Sequence, residues 1–174
     1  MTTPHAIKTI WAGETVAVLA SGPSLTKAVA DSLRKYKTIA VNYAHRLAPW
    51  ADVLLALDGN WPQAYREFVG TRMTGVEDEA LDALYIGPRW ETVQLSPTCK
   101  VEIHNSGLTA VRIAADMGAS HIVLAGFDHP KRGGHFYDDE VDNYTGLTEA
   151  MAALIAELAA KGIAVEKHNK AKRV

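Results

Sequence analysis

The segment Thr15-Val16-Ala17-Val18-Leu19-Ala20-Ser21-Gly22-Pro23-Ser24-Leu25 constrains the fold more than any other stretch of the chain. An apolar, β-branched run stops at Ser-Gly-Pro-Ser, and a helical pattern follows at once. Strand, small-residue turn and helix in that order predict the opening unit of a parallel α/β sheet. The turn gathers backbone N–H groups and two hydroxyls, and a helix N-terminus carries partial positive charge, so the unit suits a phosphate. Gly22 lets the backbone turn and be approached closely. Pro23 has no N–H to lose and is expected at the first helical position. A capped turn that holds no ligand would use the same residues.

The rest of the chain repeats the alternation. Strands are predicted at Thr15–Ala20, Thr38–Asn42, Val53–Leu57, Ala83–Ile86, His121–Gly126 and Ala164–Lys167. These are buried-strand runs without clean alternation, as expected when helices cover both faces of a sheet. Helices are predicted from Pro23 to about Tyr36, from Asn60 to near Gly70, from Gly107 to Met117 and from about Leu147 to Lys161. Ser106 is expected to cap the third, with Gly118 and Gly162 stopping the last two. In the last helix, Met151, Leu154, Ile155 and Leu158 form a core-facing stripe. Residues Gly70 to Leu81 and His129 to Tyr144 read as polar, irregular connections. The expectation is a single α/β domain over residues 1–174, Rossmann-like, with a mainly parallel sheet and helices on both faces.

Composition narrows the function classes. With 48% apolar and 22% charged residues the chain can bury a real core. A formal net charge of −2 supplies no general field for nucleic acid, and the basic run Lys167-His168-Asn169-Lys170-Ala171-Lys172-Arg173 reads as a solvated terminus. The single cysteine, Cys99, excludes an internal disulfide and fits a reducing compartment. Met1 to Ile10 lack the apolar core of a signal peptide, and no run approaches membrane-spanning length. A cytoplasmic protein with a small-molecule nucleotide ligand, no nucleic acid and no membrane partner is expected. A homo-oligomer stays open.

In open α/β sheets a ligand binds beyond the carboxyl ends of the strands, where strand order reverses. Polar residues stand at several such ends: Ser21-Gly22-Pro23-Ser24 after the first strand, Asn42 at the second, Asp58 after the third and Asp128 after the fifth. The helix start Asn105-Ser106-Gly107 adds another group of donors. Asp and Asn also stand at strand ends simply because they make turns and caps. Familiar motifs are missing: Gly-x-Gly-x-x-Gly after the first strand, the phosphate loop of NTPases and Gly-x-Ser-x-Gly.

Taken in order, Ala20-Ser21-Gly22-Pro23-Ser24-Leu25, Asn42, Ala51-Asp52, Asn105-Ser106-Gly107 and Ile122-Val123-Leu124-Ala125-Gly126-Phe127-Asp128 resemble a known Rossmann-type core. It is the core of the archaeal 6-hydroxymethylpterin diphosphokinase-like family, of the flagellin-modifying motility accessory factors and of the bacterial sialyltransferases that use a CMP-sugar. The resemblance implies a nucleotide-dependent transferase with CMP-sugar or ATP as donor. It places the nucleotide phosphate on Ser21, Gly22 and Ser24, with Ser106 and Gly107 opposite, nucleotide contacts on Asn42, and the ribose near Asp58. In a diphosphokinase-like reading, Asp58 or Asp128 would hold Mg²⁺ against the phosphates. The sialyltransferases carry a catalytic histidine just before the final helix. The matching stretch here, Asn143-Tyr144-Thr145-Gly146-Leu147-Thr148, has none, which leaves a non-catalytic nucleotide-binding module, or an interaction protein with a vestigial pocket, as alternatives.

The loop Asp128-His129-Pro130-Lys131-Arg132-Gly133-Gly134-His135-Phe136-Tyr137-Asp138-Asp139-Glu140 is dense in functional groups. Lys131 and Arg132 could neutralise a phosphate, and His135, with Asp128, is the candidate acid/base. Trp61 could stack on a base or pack its own helix. His104, His121, Lys100 and Arg112 read as structural or surface residues.

Overall fold

Alternate side chains of each strand point to opposite faces, and in this protein both faces are covered. The computed structural model describes residues 6–57, 63–87, 91–96, 99–103, 105–128 and 147–168. Its elements run β1 (Thr15–Leu19), α1 (Lys27–Leu33), β2 (Lys37–Val41), a 3₁₀ turn (Asn42–Arg46), β3 (Val53–Ala56), α2 (Gln63–Arg66) and β4 (Thr71–Thr74). A second 3₁₀ turn (Glu79–Leu81) leads to β5 (Leu84–Tyr85), β6 (Glu91–Ser96), β7 (Cys99–Ile103) and α3 (Ser106–Asp116). The chain then passes through β8 (His121–Ala125), α4 (Leu147–Ala160) and β9 (Ala164–Lys167).

Seven strands form one sheet in the order β5-β4-β3-β2-β1-β8-β9, and every neighbouring pair is parallel. Strands β6 and β7 form a separate antiparallel hairpin, inserted between β5 and α3. The α/β, Rossmann-like architecture expected from the alternation is the one observed. Strand order reverses at β1, which has β2 on one side and β8 on the other.

The two faces are built from different residues. One carries Val16, Val18, Ile39, Val41, Val53, Leu55, Ile122 and Leu124 against α3 and α4. The other carries Ala17, Ala40, Ala56, Ala125, Leu19 and Leu54, and packs Leu25, Ala30, Leu33, Ala44, Tyr65 and Phe68. Small residues on that second face let the 3₁₀ turn and the α1 segment lie close to the sheet. Of the expected stripe on α4, Met151, Leu154 and Leu158 are buried and Ile155 is partly so.

Several expectations are corrected. The first helix begins at Lys27 rather than Pro23, because the Thr26 hydroxyl caps it by accepting from the Val29 N–H (3.2 Å). It ends at Leu33 rather than near Tyr36. Pro23 therefore lies in the turn and not at a first helical position. Asn105, not Ser106, caps α3: its Oδ1 accepts from the Leu108 N–H at 3.0 Å. The stretch Gly70 to Leu81 is not wholly irregular, since β4 lies within it and pairs with β3. Only Met73 and Thr74 of β4 are buried, so it carries no apolar run to reveal it. Arg112, partly exposed as a surface charge would be, also pairs with Glu157 (3.0 Å) and ties α3 to α4. Gly118 and Gly162 follow α3 and α4 as expected. Asn60, the expected start of the second helix, lies outside the described residues, and α2 itself spans Gln63–Arg66.

Candidate functional site

The reversal of strand order puts the site of interest at the carboxyl ends of β1, β2 and β8. Between β1 and β8 the pairing continues beyond the strands themselves. Ala20 N–H donates to the Ala125 carbonyl (2.8 Å) and Gly22 N–H to the Gly126 carbonyl (2.8 Å). The Ser24 N–H donates to Oδ2 of Asp128 at 2.6 Å. The charged acceptor makes this a strong hydrogen bond. Two glycines make the approach possible. A Cβ on Gly22 would stand 2.4 Å from the Gly126 carbonyl oxygen and 2.9 Å from Asp128 Oδ2. Gly126 has φ +72°, and a Cβ there would stand 2.2 Å from the Ala20 carbonyl oxygen. The freedom expected of Gly22 is thus used by the protein's own β8 turn.

The end of β2 is arranged differently. Ser21, 7% exposed, donates its hydroxyl to the Val41 carbonyl at 3.3 Å. The next residue, Asn42, adopts a left-handed backbone at φ 51°. That conformation costs a non-glycine residue energy, least for Asn and Asp. The Asn42 carbonyl receives a hydrogen bond from His45 Nδ1 at 2.9 Å, which makes Nδ1 the protonated nitrogen. Yet Asn42 Oδ1 is buried and has no hydrogen-bond partner among the described residues. A buried, unsatisfied acceptor beside a strained backbone is a feature that asks for a donor from elsewhere.

His45 itself is buried, with Tyr65 edge-on at 5.2 Å, Phe68 at 6.3 Å and Tyr43 at 6.3 Å between ring centroids. Burial holds its pKa below the ordinary imidazole value; the hydrogen bond to Asn42 works in the opposite direction, and the nearby Arg46 charge adds to the lowering. The Arg46 guanidinium lies 4.1 Å over the Tyr43 ring. His45 thus supports the backbone of the candidate residue Asn42, a part not evident from the sequence. Its only signal there was its position three residues after the strand-ending asparagine.

Helix α3 packs on β1, β2, β3 and β8, and leads into β8, so its N-terminus lies over the carboxyl edge of the sheet. Gly107 marks the contact, since a Cβ there would stand 3.0 Å from the Phe127 ring. The Asn105 side chain and carbonyl receive the Leu108 and Thr109 amides. Those of Ser106 and Gly107 come earlier in the first turn and have no intrahelical acceptor.

The structure thus brings together the turn Ser21, Gly22, Pro23 and Ser24 with Asp128, and sets Gly107 of the Asn105-Ser106-Gly107 start against Phe127. Asn42 is joined to the same edge through Ser21 and Val41. Asp58, Trp61, His135 and the loop 129–146 lie outside the described residues. Of the two carboxylates expected at Mg²⁺, Asp128 spends one oxygen on Ser24, and among the described residues no group of three or more His, Cys, Asp or Glu is placed to hold a metal ion. Magnesium there would draw its remaining ligands from phosphate and water. Among the described residues no helix is long and apolar enough to cross a membrane.

No protein-family model, no curated protein and no solved structure matches the chain. Of the resemblance carried by the motifs, the fold supports the generic parallel α/β, Rossmann-like architecture.

Proposed function

We propose that the chain binds a nucleotide or nucleotide-sugar at the carboxyl edge of β1, β2 and β8 and acts as a nucleotide-dependent transferase, diphosphokinase-like or nucleotide-sugar-linked. The observation that carries this reading is Asn42: a left-handed backbone and a buried Oδ1 without a partner among the described residues, beside the point where strand order reverses. A nucleotide base or sugar brings N–H or O–H donors that satisfy such an oxygen. The phosphate falls to the Ser21-Gly22-Pro23-Ser24 turn and to the Ser106 and Gly107 amides of α3, where backbone donors and the helix dipole favour an anion. Asp128, with His135 from the following loop, supplies the acid/base chemistry, and Mg²⁺ shared between phosphate and a carboxylate of Asp58 or Asp128 would neutralise charge in a diphosphokinase-like reaction.

A second reading is a nucleotide-binding module without turnover, favoured by the lack of a histidine in 143–148. A thermal-shift panel of CMP, CTP, CMP-sialic acid, UDP, ATP and GDP, each with and without Mg²⁺, tests both. A ligand present at a hundredfold excess over its Kd stabilises the folded state by about 2.7 kcal/mol. A shift lost in Asn42→Ala supports the site, and turnover lost in Asp128→Asn with binding retained supports the enzyme. A flat panel rejects both and leaves an interaction protein on a vestigial nucleotide fold.

A further inference from the structure

We infer that Asp128 is an internal anion that latches the β1 turn and must be displaced before a ligand phosphate can use it. This deepens the reading proposed above and rests on it for the identity of the ligand. The turn after β1 is the place where a parallel α/β sheet offers backbone donors to a phosphate. Here its Ser24 N–H, which lies ahead of the Thr26 cap and belongs to the turn rather than to α1, is taken by Asp128 Oδ2 at 2.6 Å. The carboxylate is held there by construction. The Gly22–Gly126 hydrogen bond (2.8 Å) docks the β8 turn onto the β1 turn. No side chain fits at Gly22, whose Cβ would meet both the Gly126 carbonyl and Asp128. A carboxylate and a phosphate compete for the same donor and repel each other at that distance. Asp128 is itself exposed, so its side chain can swing outward without opening the core. Displacement frees the carboxylate at the moment a ligand arrives, so the latch releases the group proposed above for acid/base chemistry.

Two substitutions grade the latch. Asp128→Asn keeps an oxygen for the Ser24 amide but removes the charge, and Asp128→Ala removes both. Calorimetric titrations with inorganic phosphate and with CMP and ATP, in EDTA, are expected to give affinities rising in the order wild type, Asn, Ala. A charge-assisted hydrogen bond lost by the competitor corresponds to about tenfold or more between the ends of the series. In the ligand-free protein the Ser24 amide proton resonance should move upfield in Asp128→Ala. Equal affinities, or the reverse order, overturn the latch and make Asp128 a ligand- or metal-holding group. An unmoved Ser24 amide overturns it as well. Phosphate following the predicted order while no nucleotide binds upholds the latch and rejects the nucleotide reading. Nucleotides binding all three proteins equally does the opposite. No binding of any probe to any of the three overturns both.

Discussion

Two neighbouring junctions on the carboxyl edge of the sheet solve the same problem in opposite ways. Between β1 and β8 the donors at the strand ends are spent within the protein: Ala20, Gly22 and Ser24 donate to Ala125, Gly126 and Asp128. At the end of β2, Asn42 holds a strained backbone and a buried oxygen with no partner among the described residues. The first junction is optimised for stability and the second is not. Strain and unsatisfied polar groups persist in folded proteins chiefly where function uses them. The contrast marks β1/β8 as a joint and the end of β2 as the candidate binding edge, with Asp128 exposed and placed to leave the joint.

The largest effect should come from attacking the closed junction. Gly126→Ala combines a left-handed backbone with a Cβ 2.2 Å from a backbone oxygen. It should destabilise the fold by about 4 kcal/mol or more, the range reserved for steric conflict that cannot relax. Urea unfolding measures this, and near-native stability would show that β1 and β8 do not close on each other.

At the open junction the sign should reverse. Asn42→Gly removes both the backbone strain and the orphan oxygen, against a larger loss of chain entropy. A net stabilisation of about 1 kcal/mol, accompanied by loss of nucleotide binding, is the expected result. Destabilisation in the same unfolding experiment would mean that Oδ1 is satisfied in solution.

His45 gives the β2 end a pH dependence. Its pKa is lowered in the folded state, chiefly by burial, from an ordinary value of 6.5. Above that value both folded and unfolded states carry neutral imidazole and the stability is present in full. As pH falls below it the unfolded state takes up the proton first, so stability declines until the folded-state value is passed. The groups around the ring are Tyr43, Tyr65, Phe68 and Arg46, and Arg46 reinforces the direction. Melting temperature should therefore fall between pH 7 and pH 5 in the wild type and fall less in His45→Phe. Parallel curves for the two proteins would remove His45 from this account.

The smallest effect belongs to the tie between the junctions. Ser21→Ala loses one long hydrogen bond, from its hydroxyl to the Val41 carbonyl at 3.3 Å. It should cost about 0.5 kcal/mol, at the lower end of what a net hydrogen bond contributes. A loss several times larger in the unfolding midpoint would make Ser21 a structural keystone rather than a tie.

Much of this was legible in the chain itself. The runs Thr15–Ala20, Val53–Leu57 and His121–Gly126 show as strands because β-branched and apolar residues fill them without interruption, the pattern of strands buried on both faces. Strand β4 was hidden because Thr71 and Arg72 look like loop residues. Arg72 is in fact held by the Arg66 carbonyl at 2.6 Å and by Asp82 at 2.5 Å. The hairpin β6–β7 was missed as well: without a long apolar run, a two-stranded ribbon looks like a connection. The candidate residues Ser21, Gly22, Ser24, Asn42, Asn105 and Asp128 could be placed at strand and helix ends because turn and cap chemistry marks those ends in the chain. His45 could not, since a lone histidine in a short turn has no local pattern.

By itself, the sequence determined the alternation of strands and helices, the parallel sheet and the polar residues at its carboxyl edge. Those follow from periodicity and turn chemistry, which act over a few neighbouring residues. Only the tertiary structure decided what those polar residues do. Ser24 and Asp128 are more than a hundred positions apart, and their hydrogen bond exists because β1 and β8, distant in the chain, are neighbours in the sheet. The same pairing makes Gly22 and Gly126 obligatory, while the turn after β2 leaves the Asn42 side-chain oxygen with no partner among the described residues. Donors and acceptors are chosen by residue type, but which of them are spent within the protein is settled by distances that no local pattern encodes.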